Sequence, residues 1–266
     1  MNMHDRISKI RVDKTMTTKK NLNPEELLHM LTVDCKDNGR EFVINDRIEV
    51  IKNLLSDSPY QLLYEGDLCL IYSKNVGENN LPALISSHVD CVFNILRCDS
   101  WGEKYMIGTF DNSVTNACLI YTMLQDTLGD NVLVAFTGDE ESNSRGAAEA
   151  VTALHRQYIY PSVAMVLDVT EAGWMEESDF TIENDLEINI VKGHRIIEAV
   201  KPFEGQYLYI HAGDADESWE YDERNIPTFS LCLPVYGEIH GDWGVLIRRK
   251  SLSVYCDALS RLARCF

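Results

Sequence analysis

Three acids stand together at the end of an apolar run. Asp139, Glu140 and Glu141 close the segment "VLVAFTGDEE", and Ser142 follows them. Like charges this close repel, so either a turn solvates them or a cation sits among them. Similar residues recur after other apolar runs. "ALISSHVD" ends in His88 and Asp90, and "AMVLDVT" carries Asp168. "GTFDNS" carries Asp111 and Asn112, and "VYGEIHGDWG" carries His240. One acid at a strand end is ordinarily a helix cap. Five such positions in succession are poorly explained as five caps. Two imidazoles and several carboxylates form a ligand set suited to zinc, cobalt or manganese. A carboxylate shared between two ions supports a pair about 3.5–4 Å apart. In "HVD", residues two apart on an extended segment point the same way. Asp90 can then accept the second ring N–H of His88 and fix its tautomer.

Such residues need a scaffold that gathers strand ends. "PALISSHVD", "NVLVAFTG", "SVAMVLDVT", "YLYIHAG" and "PTFSLCLP" predict strands. "NACLIYTMLQDTL", "SRGAAEAVTALHRQ", "HRIIEAVK" and "SLSVYCDALSRLARCF" predict helices. Alternation of the two predicts a mixed α/β sheet, parallel in its centre and sandwiched by helices. Ligands in open α/β sheets bind outside the carboxyl ends of the strands, where these charges fall. Upstream, Asn23 and Pro24 open a helix, and "EFVINDRIEVIKNLL" gives a second that "SDSP" ends. "YQLLYEGDLCLIYSKN" predicts a hairpin turning at Gly66–Asp67.

The 266 residues are 45% hydrophobic, enough for one large core. No repeat, linker or composition shift divides them. The expected organisation is a basic, flexible leader over residues 1–20 and a single catalytic domain over 21–266. The net charge of −18 argues against nucleic acid as a partner and suits cation binding. Eight cysteines without a C-x-x-C pair are expected to be reduced, buried thiols in the cytoplasm. The N-terminal segment lacks the apolar stretch of a secretion signal, and no run approaches the ~18 apolar residues of a membrane span.

In chain order, "SSHVD", "GTFDNS", "FTGDEESNSRGA", "VLDVTEAG" and "IHGDWG" resemble the co-catalytic di-zinc exopeptidase superfamily (peptidase clan MH). That group includes zinc aminopeptidases, carboxypeptidases and amidohydrolases. The motifs run from about residue 84 to 244. "EESNSRGA", "LDVT" and "NIPTFSLCLPVYGEIH" are similar to the glutamyl-aminopeptidase-like branch, and "FDNS" to the leucyl-aminopeptidase-like branch. The resemblance implies two divalent metal ions, zinc first, with cobalt or manganese as alternatives. It implies that Asp111 bridges both, that His88 and Asp168 complete one site, and that Glu141 and His240 complete the other. It further implies Glu140 as general base, Asp90 as the group that orients His88, and a non-proline cis peptide at Asp111–Asn112.

The chain departs from that pattern in places. Only 20 residues separate Asp90 from Asp111 and 71 separate Asp168 from His240, which leaves no room for the lid or dimerisation domains of relatives. Asn143 replaces a family glycine, whereas Gly146 is kept. Arg145 reads as a helix residue rather than a substrate clamp. In "HAGDADESWEY", Asp214 or Asp216 is a candidate pocket wall, and a helix cap is the other reading. His4, His29, His155, His194 and His211 match no motif and read as structural or surface residues.

The expected activity is hydrolysis of a peptide or amide bond, foremost as an aminopeptidase on short peptides. An acidic site attracts a free α-ammonium group, whereas a carboxypeptidase needs a positive clamp that no motif supplies. The alternatives are an N-acyl amino acid amidohydrolase, a carboxypeptidase, and a non-catalytic metal-binding scaffold. Retention of Glu140 and five ligands speaks against the scaffold. A glutaminyl-type cyclase shares the fold but needs one metal, and a full second ligand set disfavours it. Side-chain specificity and oligomeric state stay open.

Overall fold

Four apolar runs from distant parts of the sequence lie side by side as parallel strands, because each is buried on both faces. The structure is a computed structural model and describes residues 19–33, 46–77, 81–93, 95–185 and 188–266. In chain order the elements begin with α1 (Pro24–Leu31), α2 (Asp46–Leu55), β1 (Gln61–Glu65), β2 (Cys69–Lys74) and β3 (Ala83–His88). Next come β4 (Cys98–Trp101), β5 (Tyr105–Gly108), α3 (Ser113–Leu124), β6 (Val132–Thr137) and α4 (Arg145–Arg156). Then follow β7 (Val163–Thr170), β8 (Phe180–Glu183), α5 (Ile190–Val200) and β9 (Tyr207–Ile210). The chain closes with α6 (Ser218–Asp222), β10 (Thr228–Pro234), β11 (Val245–Arg248) and α7 (Arg249–Ala263).

The main sheet has the order β1-β2-β6-β3-β7-β10-β8-β9. Its centre, β6-β3-β7-β10, is parallel, while β2 and β8 join it antiparallel. Successive strand residues face opposite layers. Ile85, Val134 and Leu167 pack with α1, α2, α3, α5 and α7. Leu84, Leu133 and Ala164 pack with α4 and Tyr221 of α6. The expected α/β sheet with helices on both faces is therefore what forms. The chain leaves β3 for β6 on one side and later for β7 on the other. That reversal opens a crevice at the carboxyl ends of these strands.

Local signals account for several boundaries. Asn23 Oδ1 accepts from Glu26 N at 3.0 Å and Glu26 Oε2 accepts from Asn23 N at 2.9 Å, a reciprocal cap that starts α1 at Pro24. α5 starts earlier than "HRIIEAVK" suggests, because the Asn189 side chain caps Val191 N and Lys192 N. β4, β5 and β11 form a separate antiparallel sheet with no counterpart among the sequence expectations. Lys19 and Lys20, placed in the expected leader, belong to a short 3-10 turn, and Lys19 Nζ donates to Asp57 Oδ2 at 2.9 Å. The remainder of that leader, together with Val43, Ile44 and Cys35, lies outside the described residues. The seven described cysteines are all free thiols, five of them buried. Among the described residues no helix is long and apolar enough to cross a membrane.

Candidate metal centre

The end of β3 delivers His88, which is 2% exposed. β7 delivers Asp168 from its neighbouring position. Glu140 and Glu141 follow β6, and His240 lies in the loop between β10 and β11. Asp111 stands between β5 and α3. Its peptide bond to Asn112 is cis, as the family resemblance implies. Asn112 is buried and anchored, donating from Nδ2 to Leu167 O at 2.7 Å.

These side chains converge as two groups that share Asp111. In the first, His88 Nε2 lies 3.1 Å from Asp111 Oδ1 and 3.5 Å from Asp168 Oδ1. In the second, His240 Nε2 lies 3.2 Å from Asp111 Oδ2 and 3.2 Å from Glu141 Oε2. Each group offers three ligand atoms within 4.8 Å of one another. Asp111 thus presents one oxygen to each group. Glu140 belongs to neither, and its Oε2 lies 3.9 Å from His88 Nε2. His240 is 56% exposed at its side chain, so the second group opens to solvent while the first is closed off.

The electrostatics are those of a site short of positive charge. Burial, then the charges of Asp168, Glu217 and Glu141, push the Glu140 carboxyl up to about 9 against the pull of His88. Burial and Asp111 push Glu141 up to about 8. Burial raises Asp168 to about 6. Burial alone would lower the His88 imidazole, but Glu140, Asp111 and Asp168 hold it well above its ordinary value. A hydrogen bond to Asp111 raises His240 to about 9. Every one of these groups other than Asp111 is drawn toward binding a proton. Burial opposes the Asp111 carboxylate, yet His240 and His88 keep it ionised below the usual range.

A divalent cation pair fits this donor set. Asp111 Oδ1 and Glu141 Oε1 are buried oxygens with no hydrogen-bond partner. A carboxylate oxygen accepts only, so its missing partner is a donor or a cation. With its two imidazoles neutral, the set's three carboxylates and the adjacent Glu140 carry four negative charges, the charge that two divalent ions balance.

Asp90 lies beside His88 with its Oδ1 3.4 Å from Nδ1, and neither atom is hydrogen-bonded. Its other oxygen accepts from Glu141 N at 3.2 Å, tying the His-x-Asp segment to the Glu–Glu segment. Asp139 is neither solvated nor a helix cap. It is buried, turns the chain at φ 64° and pairs with Arg145. Asn143 stands outside the left-handed positions, which fall on Asp139 and Ser144 (φ 49°), so the backbone makes no demand for glycine there. Gly146 does meet a demand: a Cβ would lie 2.5 Å from Gly138 N and O, where α4 docks against the end of β6.

Neither Asp214 nor Asp216 joins the two ligand groups. Asp214 is exposed. Asp216 is buried and accepts from Ser218 N at 2.8 Å and from the Ser230 hydroxyl. The neighbouring acid, absent from the sequence expectations, is Glu217. It is fully buried, accepting from the Ser86 hydroxyl and from Thr137 Oγ1 at 2.8 Å. Ser86 precedes His88 by two residues on one strand face, and Tyr221 OH lies 2.6 Å from its hydroxyl. The only sequence signal for Glu217 was that a polar Ser86 inside an apolar strand needs a partner. Of the histidines outside the motifs, His29 is exposed, His155 packs on Tyr160, and His211 pairs with Asp185 Oδ1 at 2.8 Å.

No protein-family model matches the chain, and no curated protein matches it in sequence. Solved structures do match. A TET aminopeptidase from the marine sediment archaeon Thaumarchaeota archaeon SCGC AB-539-E09 superposes with a TM-score of 0.71 at 13% identity, covering 91% of this chain and 96% of that one. A glutaminyl cyclase from an Acidobacteriales bacterium gives 0.65 at 13% identity, covering 91% and 92%. BSAP, a zinc aminopeptidase from Bacillus subtilis, gives 0.55 at 14% identity, covering 73% of this chain and 48% of that one. Likeness at these identities is likeness of fold. Because aminopeptidases and a cyclase share it, the reaction has to be argued from the site.

Proposed function

From a fold that serves aminopeptidases and a cyclase alike, we propose that this chain is a di-metal hydrolase of peptide or amide bonds, foremost an aminopeptidase on short peptides. The observation that carries the proposal is Asp111, whose two oxygens face two separate ligand groups with Glu140 beside them and in neither. In this reading His88, Asp168 and Asp111 hold one divalent ion, and Asp111, Glu141 and His240 hold the other. Zinc is the first choice and cobalt or manganese the alternatives. Bound there, the ions supply Lewis acidity toward the scissile carbonyl and make water easier to deprotonate.

The protein's own part follows from placement. Without metal, burial holds Glu140 at a raised proton affinity, and divalent ions bound beside it would lower that affinity toward the range of a group that takes a proton and returns it. It accepts the proton of the attacking water and passes it to the departing amine. Asp90, held by Glu141 N, limits the orientations open to His88 from the side of Nδ1. The acidic surroundings favour a substrate with a free α-ammonium group. The second ligand group supports a two-ion hydrolase over a one-ion cyclase of the same fold. Free cysteines suit a reducing compartment, and cytoplasmic location is part of the proposal.

A panel of aminoacyl anilides and N-acyl amino acids, assayed with zinc and with chelator, tests the reading. Chelator-sensitive release of amine from the anilides is expected. Silence on both panels with metal bound would contradict it and favour a metal-binding scaffold.

A further inference from the structure

We infer that Asn116 is a positioning residue for the first ligand group, fixing His88 against the Asp111–Asn112 segment before an ion arrives. The inference rests on the metal-centre part of the reading above. Asn116 sits in the first turn of α3 and is fully buried. Val114, Ala117, Cys118, Leu119 and Ile120 around it in the sequence are fully buried too, so its amide is out of reach of solvent. Its Nδ2 donates to His88 O at 2.7 Å and to Asn112 O at 2.8 Å. Both partners are carbonyls, which only accept, so the donor end of the amide has to face them. That leaves Asn116 Oδ1 buried without a partner. An orphaned buried oxygen costs free energy, and an apolar side chain of the same size would avoid that cost. What the amide supplies against it is a bridge between two ligand-bearing segments.

The bridge stands where the sheet stops providing one. The β3–β7 ladder ends at Ser87 and Leu167, one residue short of His88 and Asp168. Beyond it the contacts come from the start of α3. Asn112 donates from Nδ2 to Leu167 O at 2.7 Å, on the residue before Asp168. Thr115 Oγ1 donates to Asn112 Oδ1 and lies 3.1 Å from Ser87 Oγ, on the residue before His88. Asn116 completes the set at His88 itself. On the residue after it, Val89 O accepts from Nη1 of the fully buried Arg47 at 2.9 Å. The backbone segments that carry His88, Asp111 and Asp168 are thereby tied to one helix turn. The second group is held differently. Glu141 N donates to Asp90 Oδ2 at 3.2 Å, and His240 rides a loop with its side chain 56% exposed. A donor that fixes the backbone beneath a ligand reduces the ordering that an ion has to impose. Asn116 therefore acts on the affinity and geometry of the first group more than on those of the second.

Each group can be isolated for the test. Glu141→Ala leaves the first group complete, and His88→Ala leaves the second. Zinc affinity is read in each background by competition with a chromophoric chelator, with and without Asn116→Leu, which keeps the bulk and removes the donors. In the Glu141→Ala background the added change should weaken zinc binding by about 10–100-fold, the range for loss of a group that orients a ligand. In the His88→Ala background the loss should be smaller. The visible absorption of Co2+ bound to Glu141→Ala protein should change in shape and intensity when Asn116→Leu is added, because the ligands no longer meet the ion at fixed angles. Asn116→Ser, whose hydroxyl reaches back to Asn112 O but not to His88 O, should fall between. Leu119→Ala removes a buried core side chain from the same helix and should leave first-group affinity unaltered. Unchanged zinc affinity in Asn116→Leu would overturn this inference alone, as would an equal loss in both backgrounds or in Leu119→Ala. Should Asn116→Leu fail to fold, an Asn116→Ser affinity equal to that of its parent would overturn it. Glu141→Ala protein that binds no zinc overturns the metal-centre reading and this inference with it.

Discussion

Replacing Glu140 with Gln should move activity and stability in opposite directions. The side chain keeps its shape but can no longer accept a proton. Glu140 lies outside both ligand groups, so the variant should still bind its ions. Loss of a positioned general base lowers kcat by about 10²–10⁴-fold, or roughly 3–5 kcal/mol of barrier. In metal-free protein the same carboxyl is pushed up to about 9, first by burial and then by Asp168, Glu217 and Glu141, from an ordinary 4.5. A raised carboxyl keeps its proton in the native state after the unfolded chain has lost it. Its contribution to stability is therefore lost as pH rises from the ordinary value toward the native one. Gln carries no charge at any pH. At pH 8 the metal-free variant should exceed metal-free wild type by about 1–3 kcal/mol. For a chain of this length that is about 2–10 °C in Tm. Turnover with zinc, metal content, and thermal unfolding after chelation are the three assays. Full turnover would refute the base assignment, loss of metal would refute its place outside the ligands, and an unchanged metal-free Tm would refute the electrostatic account.

Further expectations concern neighbouring residues. Glu141→Ala should reduce bound metal from two ions to one per chain and weaken turnover, as read by elemental analysis after dialysis. Gly146→Ala places a Cβ 2.5 Å from backbone atoms of Gly138. It should cost about 1–3 kcal/mol and lower metal affinity through the shifted Glu–Glu segment, as measured by denaturant unfolding and metal titration. Burial pushes Glu217 up to about 7, against the hydroxyls of Ser86 and Thr137. Metal-free stability should then decline as pH rises through 5–7, and Glu217→Gln should flatten that decline in thermal unfolding.

The central strands and the candidate ligand residues were legible because both are local signals. A run such as "VLVAFT" is apolar throughout, and the acids and histidines stand where such runs stop. The small sheet was not, since "CDSW" and "YMIG" are short and partly exposed, and "YMIG" pairs with Val245–Arg248 more than 130 residues away. Glu217 was hidden for a related reason. The meaning of Glu217 depends on Ser86, 131 residues earlier. Asp139 was legible as a charge but not as a turn residue, because its partner Arg145 looked like an ordinary helix position.

Under the proposed function Asp111 serves two ions at once. Calorimetric titration of metal-free protein with zinc tests it most directly, in wild type and in Asp111→Asn. Two ions per wild-type chain, and weakened binding of both in the variant, are the expected results. One ion per wild-type chain, or a variant that loses one ion and keeps the other at wild-type affinity, would contradict it.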